Sequence, residues 1–368
     1  MKTRKILSLL GLLSFIFIIS CTKEEDPKPK PTAVFTVSDT SVVVGQTITF
    51  TNGSENATSY SWSFGDGTTD TVTIPTKAYA ATGTYTVTLV ATGAGGTISA
   101  TKQITVIAAT IYIMDPSDEL MQKLVLDGSG TVTTLLDLAG KSGLGIAYDK
   151  ANSKIYYSDF FDADTPNGKI WKLNLDGTGA TAIASGILDP YGIALDAAGG
   201  KIYWVDDAGN VSRANVDGTN PQIGIVKITD GWLRAIALDV ENNKMYFYDV
   251  NAENLYVANL DGTNSSVLIS GVYGYAINID TKNDKIYFDD QNSGVGGELK
   301  RANLDGTGIT TIDNAETRIY GVAIDNDINK LYWSSRDLGE IYMANLDGTG
   351  KTTVATGLTS PRGIFLKK

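Results

Sequence analysis

Residues 201–219 read "KIYWVDDAGNVSRANVDGT". From Lys201 the stretch alternates apolar and polar residues, turns at "DDAGN", alternates again and closes on Asp217-Gly218. Period-two alternation broken by a turn is the pattern of a half-buried β-hairpin. Near copies stand at five other places. The first signpost is "IYIMD" (111–115), "IYYSD" (155–159), "IYWVD" (202–206), "MYFYD" (245–249), "IYFDD" (286–290) and "LYWSS" (331–335). The second is Asp-Gly-Ser/Thr at Asp127, Asp176, Asp217, Asp261, Asp305 and Asp347, at intervals of 49, 41, 44, 44 and 42 residues. Six repeats of about 43 residues fill 110–368, the length of a four-stranded propeller blade.

Each full repeat supplies four strands. "YGIALD" (191–196) is innermost, "KIYWVD" second and "VSRANVDGT" third, and the segment after Asp-Gly is fourth. Asp-Gly between alternating runs predicts a type I′ turn with positive φ at both central residues, so these aspartates are expected to turn the chain, not to catalyse. The inner strands "GIAY", "GIAL", "AIAL", "AINI", "GVAI" and "GIFL" alternate small and large residues. Gly192 and Ala194 are expected to face one neighbouring blade, and Ile193 and Leu195 the other. Asn278 and Phe365 stand where the other repeats carry Ala. Local repacking, with a trapped water at Asn278, is the expectation there. The first repeat lacks an inner strand, and the last inner strand, "RGIFL" (362–366), has no blade after it. "RGIFL" should therefore close the ring as the inner strand of blade one and remove a free sheet edge.

"IYW-x-D" followed by "ANLDGT" resembles the YWTD, or low-density-lipoprotein-receptor class B, repeat of six-bladed propellers, over all of 110–368. The motif's Asp is matched by Asp115, Asp159, Asp206, Asp249 and Asp290, while the sixth copy has Ser335. The resemblance implies that this Asp ties neighbouring repeats by hydrogen bonds.

Residues 32–107 show short alternating runs between Gly, Asn and Asp turns, the pattern of a β-sandwich. Here "YSWSFGDGT" (60–68) and "PTKAYAATGTYTVTL" (75–89) resemble the PKD domain, an immunoglobulin-like sandwich. Trp62 and Phe64 should alternate into its core, with Asp66-Gly67 turning the chain. A turn role for Asp66 is preferred over calcium ligation. The resemblance implies a spacer or interaction module. The fold class is thus all-β, a PKD-like sandwich followed by a six-bladed propeller.

The chain's formal charge is −11, which argues against nucleic acid or anionic lipid as partner. It has no His and a single Cys. That excludes Ser-His-Asp and Cys-His catalysis, zinc sites of the usual type and any intramolecular disulfide. A metal would need all-oxygen ligands, as calcium or magnesium accept. The Cys follows "MKTRKILSLLGLLSFIFIIS", a basic segment and a short apolar run that read as a secretory signal over 1–20. "IISC" resembles a bacterial lipobox, which implies lipid on Cys21 and an outer-membrane location. "TKEEDPKPKP" then reads as a solvated tether over 21–31 with the Cys, and Lys23-Glu24-Glu25 resembles the surface-export signal of Bacteroidetes lipoproteins. A monomer is expected.

Repeated residues build the scaffold, so function should lie where equivalent positions differ. The residues just before the six inner strands are Leu144, Tyr191, Arg234, Tyr275, Tyr320 and Arg362. All inner strands start at one face, so these six should encircle the channel mouth. Tyr and Arg are enriched in binding hot spots, though the six could equally plug the opening. The loop "DFFDADTPNGK" (159–169) adds Phe160 and Phe161 as a candidate rim contact. Asp159, Asp162 and Asp164 could bind calcium, but they lack a complete loop signature. The preferred reading is a surface-tethered module that binds a protein or glycan, with no catalytic residue, no metal and no cofactor. The alternative is a channel-centred hydrolase or lyase resembling gluconolactonases. Such enzymes need acidic metal ligands near the axis, where these inner strands supply Gly, Ala, Ile and Tyr, with Asn278 the one polar candidate.

Overall fold

The computed structural model describes residues 26–160, 165–292, 296–314 and 318–368, with Phe160 described by its main chain alone. The proposed signal segment, Cys21 and Phe161 lie outside these residues.

The sandwich pairs a three-stranded sheet (Phe35–Val37, Ile48–Asn52, Thr76–Lys77) with a five-stranded one. The latter runs Ser41–Val43, Gly96–Ile107, Gly83–Gly93, Ser59–Ser63 and Thr69–Asp70. Trp62 and Phe64 do alternate into the core, where Phe35, Phe50, Val87, Leu89 and Ile104 surround them. The Trp62 indole N–H donates to Val72 O at 3.0 Å, so the ring is buried with its one polar atom satisfied. Asp66 makes the turn: its Oδ1 accepts from the Thr68 N–H at 3.0 Å and hydroxyl at 2.6 Å, while Oδ2 pairs with Lys77 at 2.6 Å. Burial works to raise this carboxyl, but Lys77 and Thr68 outweigh it and hold it at about 2. The sandwich also reaches back before Thr32. Pro31 is buried, and Lys30 O accepts from the Asn56 amide at 3.4 Å.

The remainder is a ring of six four-stranded antiparallel sheets. Blade two illustrates the order from the axis outward: Ser142–Asp149, Lys154–Phe160, Gly168–Asn174 and Thr181–Ile187. Each of the six junctions between blades has its own apolar core. Between blades three and four, Tyr203, Val205 and Val211 meet Ile236, Met245 and Phe247. Burying each such side chain contributes about 1.5–3 kcal/mol, so the junctions hold the ring together. The small residues of the inner strands are required by close backbone approach. A Cβ on Gly192 would lie 2.8 Å from Ala235 Cα of the next blade, and one on Gly363 would lie 2.4 Å from Leu144 O. Ile193, on the other face, packs with Tyr156 and Ile170 of blade two.

Blade one is completed by the C-terminus. Ile364–Lys367 pairs antiparallel with Thr110–Ile113, with Phe365 opposite Tyr112. The Phe365 ring fills what Ala leaves open in the other repeats. It stacks on Tyr112 at 4.6 Å and on Tyr148 at 5.2 Å. Asn278 needs no water to be satisfied. Its Nδ2 donates to Val322 O of blade six at 2.8 Å, and its Oδ1 accepts from the Ile279 N–H at 2.8 Å.

The Asp-Gly turns differ from the type I′ expectation. Gly177 has φ +86°, but Asp176 is not in the positive-φ region. Gly177 N donates to Asn174 O at 3.0 Å and Asn174 N to Thr178 O at 2.8 Å, a type I turn closed by a glycine bulge. The reason is the side chain: Asp176 Oδ1 accepts from the Thr178 N–H at 3.0 Å and its hydroxyl at 2.7 Å, which fixes the residue in the ordinary right-handed region. Asp217, Asp261, Asp305 and Asp347 repeat the bond to the hydroxyl of the following Thr, and these hydrogen bonds lower their carboxyls.

Candidate binding site at the channel mouth

The start of each inner strand lies beside the end of its second strand, because the two pair antiparallel; Pro190 faces Asp206 and Leu233 faces Asp249. One face of the ring therefore collects the six inner-strand starts and the hairpins that follow the IYW-x-D signposts. The signpost aspartates brace this face. Asp115 accepts from Thr359 N at 2.9 Å and Ser360 N at 3.0 Å, Asp249 from Trp232 N at 3.0 Å and Asp290 from Tyr273 N at 3.3 Å. Each of these bonds pins the connection arriving from the preceding blade, which is how this Asp ties repeats together. Asp206 instead binds Asn210 N at 3.0 Å within its own hairpin, and Asp159 accepts from Trp171 Nε1 at 2.6 Å. Burial raises the Asp115, Asp159 and Asp206 carboxyls.

Leu144, Tyr191, Arg234, Tyr275, Tyr320 and Arg362 all line one cavity of about 90 Å³ at the mouth. Below it, the shaft between the inner strands encloses a further cavity of about 330 Å³. Five of the six side chains engage one another rather than standing apart. Arg234 lies 4.0 Å over the Tyr191 ring and forms an ion pair with Asp207. Tyr275 and Tyr320 pack with ring centres 4.4 Å apart, and Arg362 and Arg336 sit 4.7 and 5.5 Å from the Tyr320 ring. Leu144 is buried. Arg362 has no carboxylate partner among the described residues, and its Nε is buried without an acceptor. Burial lowers its guanidinium, while the hydrogen bond it donates to the Tyr191 hydroxyl opposes that shift.

Blade five is built differently. Its inner strand covers only Ile277–Asp280, against Ile319–Asp325 in blade six. The segment ahead of it is held by Asp289, whose Oδ1 accepts from Tyr275 N and Ala276 N, both at 2.7 Å. Oδ2 accepts from Gln291 Nε2 at 2.8 Å, and Tyr248 donates its hydroxyl to Asp289 O. Gly274 sits in the contact: a Cβ there would lie 2.5 Å from Asp289 Oδ1. Asp289 is completely buried with no basic partner among these contacts. Burial pushes its carboxyl up to about 7, with the hydrogen bonds from Gln291, Ala276 and Tyr275 opposing. Tyr275 is raised as well, by burial and by its hydroxyl contact with Tyr273 at 2.8 Å.

The Phe160 main chain pairs with Ser142, and Asp162 and Asp164 lie outside the described residues with Phe161. Among the described residues no three acidic side chains gather as a metal cluster would require. Asp289, Trp232 and Arg336 were not anticipated from the sequence. Trp232 was findable there, because it stands two residues before Arg234 in the alignment that produced the ring.

Residues 28–108 match the PKD domain family. The chain is 28% identical over 130 residues to the vitellogenin receptor of Solenopsis invicta, covering 35% of this chain and 7% of that protein. It is 26% identical over 138 residues to Protein cueball of Drosophila erecta, covering 36% of this chain and 20% of that one. It therefore spans only a small part of the curated relatives it matches. Among solved structures, a chain in a nidogen/laminin complex superposes with a TM-score of 0.60 at 19% identity, covering 70% of this chain and 98% of that one. TolB from Acinetobacter baumannii gives 0.57 at 12% identity, covering 78% and 80%. A protein of unknown function from Bacteroides thetaiotaomicron gives 0.56 at 15% identity and covers 92% of this chain and 94% of its own. The protein is all-β, a PKD domain followed by a six-bladed propeller.

Proposed function

We propose that this protein is a recognition module that binds a protein ligand at the channel mouth. In this reading lipid on Cys21 holds it at a bacterial outer membrane, and the PKD domain serves as a spacer without a catalytic role. The observation that carries the reading is the mouth itself. Six structurally equivalent positions differ in chemistry, gather around one cavity and leave the Arg362 guanidinium without a carboxylate among the described residues. Scaffold alone does not call for three tyrosines and two arginines there. The vitellogenin receptor, by its name a receptor, and the nidogen/laminin complex, by its title an assembly of two proteins, lend support. A protein ligand is favoured over a glycan because the Tyr191 and Tyr320 rings are already covered by Arg234, Arg362 and Tyr275, which leaves little open face for a sugar to stack on. The test is to isolate a ligand with the immobilised protein and measure its affinity for Tyr275→Ala. A hot-spot residue costs about 2 kcal/mol, or about 30-fold in Kd. Unchanged affinity would remove the mouth from consideration.

A further inference from the structure

The connection into each blade carries a second set of equivalent positions, two residues before the mouth ring: Ser142, Asp189, Trp232, Tyr273, Arg318 and Ser360. They divide by size. Blades one, two and three have Ser360, Ser142 and Asp189, and Ser360 and Asp189 are each 4% exposed. Blades four, five and six have Trp232, Tyr273 and Arg318, and Trp232 is 51% exposed. The Trp232 main chain is held at both ends, its N–H by Asp249 at 3.0 Å and its carbonyl by Val250 N at 3.0 Å. A rigid backbone thus presents a solvent-facing indole. On blade six, Leu338 is 56% exposed, beside Arg318 and Asp337, which pair through two bonds at 2.7 and 3.0 Å. Around Tyr320 stand three guanidiniums, Arg318, Arg336 and Arg362, and among the described residues the carboxylate that pairs with them is that of Asp337. This is a cationic spot on a chain of charge −11.

We propose that the ligand lies off the ring axis, across blades four to six. Trp232 anchors an apolar side chain of the partner, and the arginines around Tyr320 receive its carboxylates. The partner is a protein segment that carries an apolar residue near acidic ones. This rests on the mouth being the recognition surface and adds where the partner lies and what chemistry it presents. Apolar area at Trp232 and Leu338 supplies contact, and the surplus positive charge selects the acidic partner and speeds its approach.

The probe is a library of random peptides displayed on phage, selected on the immobilised protein. Selected peptides are expected to be enriched in Asp and Glu beside an aromatic or aliphatic residue. They should bind Trp232→Ala about 30-fold more weakly, whereas Ser142→Ala is unchanged. A second readout needs no variant. Of the five tryptophans, Trp62, Trp204 and Trp333 are buried and Trp171 is half-buried, so acrylamide quenches chiefly Trp232. Bound peptide should shield the fluorescence from acrylamide. Peptides that bind Trp232→Ala normally but fail on Tyr275→Ala would overturn the off-axis placement and leave the mouth intact. Peptides indifferent to both variants would overturn the mouth reading with it. Selection of basic peptides would overturn the assigned chemistry.

Discussion

Asp289 gives the propeller a measurable dependence on pH. Its carboxyl is fully buried, accepts three hydrogen bonds and is pushed from the ordinary 3.8 to about 7. The folded protein thus binds this proton more tightly than the unfolded chain does. Stability linked to Asp289 is greatest below about pH 4, falls as pH rises and is fully lost just above pH 7. At 1.36 kcal/mol for each tenfold difference in proton affinity, the cost of keeping it ionised at pH 8 is about 4 kcal/mol, more than half of which accrues between pH 5 and pH 8. Asp289→Asn keeps an oxygen for the Tyr275 and Ala276 N–H groups and removes the charge, and a turned Gln291 amide can offer its oxygen to the new Nδ2. Urea unfolding followed by tryptophan fluorescence at pH 5, 6, 7 and 8 compares the two proteins. Other buried carboxyls contribute equally to both curves, so the difference isolates Asp289. The variant should gain on the wild type by about 2 to 3 kcal/mol over that range. Parallel curves would refute the argument, and a variant that loses ground as pH rises would reverse its sign.

Deleting 361–368 removes the inner strand of blade one and should cost about 5 kcal/mol or more, seen as aggregation or early melting of the propeller, because three buried residues, Pro361, Ile364 and Phe365, and a closed sheet edge go together. Phe365→Ala restores the residue that other repeats carry yet should lower stability by about 3 kcal/mol in denaturant titration, since it vacates the slot between Tyr112 and Tyr148. Cys21→Ser should move the protein from the membrane fraction to the soluble one; a single acyl chain holds weakly and several hold firmly, so unchanged fractionation would exclude the lipid anchor.

The ring was legible because its determinants are local and repeated. Six copies of the IYW-x-D signpost fix six hairpins, and the orphan "RGIFL" could only belong to the orphan first repeat. The mouth was legible for the same reason, since a common register places Tyr191, Arg234 and Tyr275 at one level whatever their side chains do. What the register could not convey was contact across blades. Tyr191 and Arg362 belong to blades three and one, so their bond depends on the diameter of the closed ring. Asp289 stands where Ser158 and Ser334 each donate to a carbonyl of the next blade, at Tyr191 and Arg362. Only the folded geometry shows that a carboxylate there turns back to the N–H groups of Tyr275 and Ala276 and replaces part of a strand. The Asp-Gly turns failed on a finer point: the dipeptide was read by its backbone habit, while the Asp carboxylate bonded to the next Thr decided the turn.

Amide hydrogen exchange with and without a selected peptide tests most directly whether the repeats are scaffold and the mouth is the site. Slowed exchange should appear over 232–236, 271–276, 318–322 and 360–364, with the outer strands of every blade and the sandwich unchanged. Protection confined to 32–107, or to the outer strands, would contradict the account.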